Sequence, residues 1–123
     1  MKQKVSDYIA DHIAEWGIRD VFTVTGGGAM HMNDAFGHHP KLHCTYQHHE
    51  QACAMAAEAY ARMDNRMAAV CVTTGPGATN AITGVLGGWM DSIPMLDFFR
   101  TGKICNYGCS VRAETSKHGS AGM

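Results

Sequence analysis

The chain has 123 residues, of which 46% are hydrophobic and 17% are charged, and its formal net charge is −1 at pH 7. This length suits one domain, since domains commonly contain about 100–150 residues. A surface for nucleic acid or an anionic membrane would need an excess of Lys and Arg, so the charge argues against both partners. No apolar segment reaches the roughly 18–20 residues of a membrane-spanning helix.

The five cysteines are odd in number and irregularly spaced. The first residues, Met1–Asp7, are followed by mixed polar and apolar residues and not by the apolar core of a signal peptide. We therefore expect reduced thiols and a cytoplasmic location.

The hydrophobic pattern predicts helices and strands that alternate along the chain. Val5, Ile9, Ile13 and Trp16 recur at helical spacing, and Gly17 follows them where a C-terminal cap is expected. Strands are then predicted at residues 20–24, 42–46 and 67–73 and from residue 93, and helices at residues 29–36, 49–62 and 78–89.

The predicted strands are continuously apolar, which is typical of strands that are covered on both faces. Strands of this kind that alternate with helices indicate right-handed β-α-β units. The sequence therefore predicts an α/β fold with a doubly wound parallel sheet over residues 1–96. Residues 97–123 have neither helical nor strand periodicity, and we expect a disordered tail there.

Two glycine-rich turns, Thr25–Gly28 and Gly75–Gly77, each follow a predicted strand and precede a predicted helix. In a doubly wound sheet, turns in this position line the ligand crevice, and glycine lets the backbone approach a ligand closely. Neither turn matches the dinucleotide fingerprint or the P-loop. Plain connections between strand and helix therefore remain the alternative for both turns.

Glu50 begins the Ala-rich helix directly after a predicted strand. A carboxylate there can simply stabilise the helix N-terminus, or it can face the same crevice as the glycine turns. A zinc-protease helix would need a second histidine four residues after His49, where Cys53 stands. The other histidines lack the ligand spacing of a known metal site. We therefore predict no metal ligand and keep metal binding only as a third alternative.

Three segments in one order resemble a known family. They are His49-Glu50-Gln51 with the helix that ends Glu58-Ala59-Tyr60-Ala61-Arg62, then Thr73-Thr74-Gly75-Pro76-Gly77-Ala78-Thr79-Asn80, then Asp91-Ser92-Ile93-Pro94-Met95. Over residues 1–96 the chain resembles the N-terminal, pyrimidine-binding domain of thiamine-diphosphate-dependent enzymes of the acetolactate-synthase-like type. The resemblance implies the thiamine-diphosphate-binding fold, incomplete at its C-terminal side.

The resemblance also implies a mechanism. Glu50 would hydrogen-bond the pyrimidine nitrogen N1′ of the cofactor and favour the imino form of the 4′-amino group, which removes the thiazolium C2 proton. The resulting ylid attacks a 2-keto acid such as pyruvate, and decarboxylation and carboligation follow. The other positions that match the family's cofactor-binding segments are Thr25, Gly26, Thr74, Pro76 and Asn80.

Two departures from the family pattern limit the expected function. The common first turn is Gly-x-Pro-Gly-Gly, whereas this chain has Thr23-Val24-Thr25-Gly26-Gly27. A related keto-acid decarboxylase or lyase is therefore an alternative to acetolactate synthase proper. In the family, a separate domain binds the diphosphate through Mg²⁺, and the cofactor site forms between subunits of a homodimer or higher oligomer. We expect the chain alone to be inactive; a non-catalytic α/β interaction module is the competing class.

The tail also departs from the family, in which an apolar strand and Ser-Gly-Gln follow the Asp-Ser-x-Pro-Met segment. Back-translation from Asp97 with suitable codons, followed by removal of the first base, reads Ile-Phe-Ser-Gly-Gln. We therefore predict that residues 97–123 are read out of frame.

Overall fold

The described residues form a five-stranded sheet with helices on both faces. The computed structural model describes residues 3–100 and 109–113. The helices are α1 (Val5–Glu15), α2 (Met30–His38, preceded by a 3₁₀ turn at Gly27–Ala29), α3 (Glu50–Asp64) and α4 (Pro76–Met90). The strands are β1 (Asp20–Thr23), β2 (His43–Tyr46), β3 (Ala68–Val72), β4 (Met95–Arg100) and β5 (Cys109–Ala113).

The strand order is β2-β1-β3-β4-β5. Strands β1 to β4 are parallel, and β5 is antiparallel to β4. After β2 the chain crosses to the other side of β1, so Phe22 of β1 lies between Thr45 of β2 and Val70 of β3. This confirms the predicted α/β fold with a doubly wound parallel sheet. The reversal between β1 and β3 is a topological switch point, the place where such sheets bind ligands.

Strand β3 explains why the strands look continuously apolar. All five of its residues are buried. Ala69 and Cys71 belong to the core under α1 and α2. Ala68, Val70 and Val72 belong to the core under α3 and α4. Because each face of the sheet is covered by a helical layer, both sets of alternating side chains must be apolar.

Helices α3 and α4 pack closely on one another. A Cβ atom built on Gly84 would lie 2.6 Å from the Cβ of Ala54, so only glycine permits this approach. At the other end of the pair, Arg62 donates to Glu58 Oε1 at 2.7 Å and also to Asp91. Within the described residues, no helix has the length and hydropathy needed to cross a membrane.

The helix ends differ from the prediction at two places. Val5 and Trp16 were expected in the buried stripe of α1, but they are 72% and 62% exposed, and the residues of the helix that are buried are Ala10 and Ile13. Helix α4 begins at Pro76 and not at residue 78. Proline is well tolerated at the first helical position, and Gly75 has a φ of 65°, which turns the chain into the helix.

Two segments of the predicted tail also differ from the expectation of irregular chain. Residues 97–100 continue β4, and Cys109–Ala113 pair with it as β5, in a register that runs from Leu96 opposite Ala113 to Arg100 opposite Cys109. An edge strand offers unpaired backbone N–H and C=O groups, which another segment can pair with whatever its side-chain pattern. Residues 101–108 and 114–123 of the predicted tail lie outside the described residues.

Candidate functional site

Glu50 is the first residue of α3 and lies just beyond the carboxyl end of β2. The side chain that caps the helix belongs to His49, whose Nδ1 accepts a hydrogen bond from the Gln51 N–H at 3.1 Å. The half-buried Glu50 carboxylate is therefore free for other contacts, although the helix N-terminus still favours its negative charge. His49, and not Glu50, therefore makes the capping hydrogen bond at the start of α3.

The Glu50 carboxylate lies against the first turn of α4. Asn80 Nδ2 donates a hydrogen bond to Glu50 Oε2 at 3.2 Å. A Cβ atom built on Gly77 would lie 3.4 Å from the other oxygen, Oε1. A side chain at position 77 would thus crowd the carboxylate, and the hydrogen bond from Asn80 restrains its orientation.

Thr73 joins the two glycine-rich turns. Its Oγ1 accepts a hydrogen bond from the Gly28 N–H at 3.2 Å. A Cβ atom on Gly26 would lie 2.5 Å from the Thr73 Cβ, and one on Gly77 would lie 2.8 Å from its Cγ2. The turn after β1 and the start of α4 are therefore held on either side of one threonine, at the switch point between β1 and β3.

The structure brings together several of the residues predicted for the site. Asn80 contacts Glu50, and Gly26 lies against Thr73. Thr74 lies near Gly28, since a Cβ atom there would be 2.7 Å from its Cγ2. The other two are exposed at the ends of their turns: Thr25 just before Gly26, and Pro76 at the start of α4.

Three residues of this cluster were not among the predicted site residues: Gly28, Thr73 and Gly77. Thr73 and Gly77 stand inside the segment that carries the family resemblance, and Gly28 stands in the first glycine turn. Their roles depend on contacts between turns that are 45 residues apart in the chain, and no local pattern encodes such contacts.

Cys53 lies one turn after Glu50 along α3, and the charge of Glu50 affects the pKa of its thiol. Burial first, and the Glu50 carboxylate second, raise the pKa of this thiol to about 11. The thiol is therefore protonated at neutral pH. A thiolate nucleophile needs a lowered pKa, so Cys53 is a core residue and not a reactive one.

The fold and the cluster define a class: an α/β domain of the doubly wound type with a carboxylate and two glycine-rich turns at its switch point. Residues 3–99 match the family described as "Thiamine pyrophosphate enzyme, N-terminal TPP binding domain". The chain belongs to this family, and the resemblance found in the sequence is confirmed.

Acetolactate synthases are among the similar proteins. The chloroplastic acetolactate synthase 2 of Zea mays is 37% identical over 94 residues, which are 76% of this chain and 15% of that protein. The acetolactate synthase large subunit of Lactococcus lactis is 34% identical over 99 residues, 80% of this chain and 17% of the relative. A Buchnera aphidicola large subunit is 42% identical over 80 residues, 65% of this chain and 14% of the relative. The chain thus spans a small part of each relative's length.

The cluster fits the pyrimidine half of thiamine diphosphate. An ionised carboxylate only accepts hydrogen bonds, which suits an N–H donor of an aminopyrimidine. Because Gly26 and Gly77 have no side chains, the backbones of both turns pack directly against the Thr73 side chain, which occupies the space where their Cβ atoms would be. In residues 3–100, no three His, Cys, Asp or Glu side chains are grouped closely enough to hold a metal ion.

Proposed function

We propose that this chain binds the pyrimidine ring of thiamine diphosphate and that Glu50 is the catalytic carboxylate. The observation that carries the proposal is the Glu50 carboxylate at the start of α3, with Oε2 restrained by Asn80 and Oε1 next to the bare backbone of Gly77. A carboxylate in this position can accept a hydrogen bond from the protonated N1′ of the ring. Thr25, Gly26, Thr74 and Pro76 would line or support the pocket from the two turns.

We propose that these residues bind the pyrimidine ring, orient it and hold a proton. Glu50 holds the proton that it shares with N1′, and Asn80 keeps the carboxylate aimed. A carboxylate that is aimed before the ligand arrives stabilises charge without reorganisation. When bound, thiamine diphosphate supplies the carbon nucleophile that attacks a 2-keto acid.

Membership of the family and the likeness to acetolactate synthases support an acetolactate-synthase-like parent that acts on 2-keto acids, with a related decarboxylase or lyase as the alternative. We infer that the parent works in the cytoplasm as a homodimer or higher oligomer, and that Mg²⁺ and the diphosphate are held by a domain outside this chain. On this proposal the purified 123-residue chain turns over no pyruvate. Measurable turnover by the chain alone would contradict it.

Calorimetry with thiamine diphosphate and Mg²⁺ tests the assignment of Glu50. Glu50→Gln keeps the shape of the side chain but removes its charge, so we expect the binding heat to be lost or strongly reduced. Glu15→Gln is the matched control, because Glu15 is an exposed residue at the end of α1 and should leave binding unchanged. Equal binding by wild type and Glu50→Gln would refute the assignment.

The competing proposal, a non-catalytic interaction module, is favoured by the outer face of α4. No residue of Pro76–Met90 is charged. Four large apolar side chains of this helix are 48–71% exposed, namely Ile82, Leu86, Trp89 and Met90. They recur at helical spacing, and contiguous apolar surface of this kind is typical of contact with another protein.

A second copy of the chain is the partner that this face suits best, because an uncharged surface pairs well with itself around a two-fold axis. Analytical ultracentrifugation of wild type and Leu86→Glu would measure the association. The interaction proposal expects a dimer that the substitution converts to a monomer, with no dependence on Glu50. A monomeric wild type that binds thiamine diphosphate through Glu50 would favour the cofactor proposal instead.

A further inference from the structure

We propose that Thr73 is a positioning residue that sets the distance between the glycine turn after β1 and the Glu50 carboxylate. The inference rests on the proposed function, since it concerns the two sides of the same pocket. Thr73 follows the last residue of β3 and is half-buried at the switch point. Thr73 needs no hydrogen bond to Glu50 for this role, because both side chains lie close to the backbone at Gly77.

The two branches of the Thr73 side chain have different partners beyond the contact that both make with Gly26. The hydroxyl Oγ1 accepts from the Gly28 N–H at 3.2 Å. The methyl Cγ2 is 2.8 Å from where a Cβ atom of Gly77 would be, and Glu50 Oε1 is 3.4 Å from the same position. The hydroxyl therefore anchors the first turn, and the methyl group supports the backbone on which the carboxylate rests.

The contacts leave little freedom for the spacing to change. A Cβ atom on Gly26 would lie 2.5 Å, 2.7 Å and 2.9 Å from the Cβ, Oγ1 and Cγ2 of Thr73, so the backbone of the first turn is already in close contact with this side chain. β-branched side chains are restricted at χ1, which limits how far the Thr73 side chain can rearrange. On the proposed function, a flat ring bound near the first turn and Glu50 would therefore depend on the spacing that Thr73 sets.

Two substitutions separate the two branches. Thr73→Val keeps methyl groups but removes the acceptor for the Gly28 N–H, whereas Thr73→Ser keeps the hydroxyl but removes the methyl group that supports Gly77. For Thr73→Val we expect amide exchange at Gly28 to become about two- to tenfold faster, as for the loss of one hydrogen bond. For Thr73→Ser we expect slow exchange at Gly28 and shifted side-chain amide signals of Asn80, which report on the Glu50 carboxylate.

The control is Thr45→Val, the same exchange on β2, which should change neither signal. A merely structural role for Thr73 would speed the exchange of all core amides together in both variants, including those of β3, and that result would overturn the proposal. Unchanged exchange at Gly28 in Thr73→Val, or unchanged Asn80 signals in Thr73→Ser, would overturn it as well.

Titration with thiamine diphosphate and Mg²⁺, followed by the same backbone signals, connects the spacing to the ligand. Both Thr73 variants should bind at least severalfold more weakly than wild type and Thr45→Val, and equal affinity would overturn the positioning role. A wild type without any ligand-dependent shift would contradict the proposed function. The ligand-free Gly28 and Asn80 signals would still decide whether Thr73 sets the spacing.

Discussion

Asn80 Nδ2 donates to Glu50 Oε2 at 3.2 Å, and this hydrogen bond joins the first turns of two helices across 30 residues of sequence. Helix α3 starts after β2 and α4 starts after β3, on either side of β1 in the sheet. The two helices thus start at the ends of strands that flank the switch point. The orientation of the Glu50 carboxylate depends on Asn80, which belongs to the other helix.

Replacing Asn80 by Ala should weaken thiamine diphosphate binding without unfolding the chain. The substitution removes the donor that restrains the Glu50 carboxylate, and we expect an affinity loss of about three- to tenfold, the scale of one exposed hydrogen bond. Alanine is the better helix former, so the free energy of unfolding should not fall. Calorimetry and urea unfolding measure the two quantities, and Thr83→Ala on the same helix is the control. Unchanged affinity would show that Glu50 needs no restraint from Asn80.

Gly26→Ala should destabilise the chain, whereas Gly27→Ala should not. A Cβ atom at position 26 would lie 2.5 Å from the Thr73 Cβ, so the turn after β1 must move. We expect a loss of about 1–3 kcal/mol in the free energy of unfolding, as for other overpacked sites. At Gly27 nothing lies within 4 Å of the added atom, and this neighbouring exchange is the matched control. Equal urea midpoints for the two variants would contradict the close contact with Thr73.

The stability of the chain should fall between pH 9 and pH 11 because of Cys53. Burial first and the Glu50 charge second raise the pKa of this thiol from 9.0 to about 11. Above pH 9 the unfolded chain loses the thiol proton while the folded chain retains it. The free energy of unfolding therefore decreases with pH in this range, by up to about 1.4 kcal/mol per pH unit.

Urea unfolding at several pH values, compared with Cys53→Ala, isolates this contribution. The variant should have the shallower slope between pH 9 and pH 11, and identical slopes would contradict the raised pKa. Glu50→Gln should lie between wild type and Cys53→Ala, because it removes the second cause and leaves the burial.

Arg62→Lys should lower the melting temperature slightly at low salt. Arg62 donates to Glu58 Oε1 through Nε at 3.0 Å and Nη2 at 2.7 Å, and also to Asp91, and lysine cannot reproduce this fork. All three side chains are reached by solvent, so the interaction is screened by salt. Melting curves at low salt and at about 1 M NaCl, where screening acts over about 3 Å, measure the difference. If Arg62→Lys still melts at a lower temperature than wild type at high salt, the role of Arg62 is packing and not charge.

The proposed frame change can be examined on both the gene and the protein. Asp97 is only 8% exposed and stands in β4 between the buried Leu96 and Phe98, a place where aspartate is unusual. The restored frame has isoleucine there. Asp97→Ile should raise the free energy of unfolding by about 1–3 kcal/mol, the usual range for one core substitution.

Asp97→Asn is the control for this change, because it removes the charge but keeps the shape and polarity. A lower stability of Asp97→Ile than of both wild type and Asp97→Asn would speak against the restored frame at this position. Sequencing of the coding DNA tests the frame directly. An unambiguous read without an open continuation in the other frame would rule the proposal out.

The sequence predicts much of this fold because its layers follow local patterns. The apolar run at residues 67–73 predicts β3, and the Ala-rich segment at residues 49–62 predicts α3, which the structure extends to Asp64. Both patterns depend on side chains within one element. Trp16 shows the limit: its spacing matches the helical stripe of α1, but α1 ends at Glu15 and the ring is exposed.

The candidate site was less predictable, for a physical reason. Glu50 and Asn80 stand in segments that the family resemblance singles out, and the structure adds the hydrogen bond between them. Thr73 stands in such a segment as well, but its place in the cluster comes from contacts with the backbones of Gly26, Gly28 and Gly77. Contacts of a side chain with distant backbone leave no periodicity in the sequence, so only the folded arrangement identifies them.

The strand order has a consequence for synthesis on the ribosome. β1 and β2 can pair as soon as Tyr46 has emerged, but β3 joins β1 on the opposite edge, and Thr73 and Asn80 follow it. Until then the nascent chain presents one bare edge of β1, the kind of surface that chaperones protect and that aggregation exploits. On the proposed function, competence to bind thiamine diphosphate would therefore be acquired in one late step, when β3 and the start of α4 join β1.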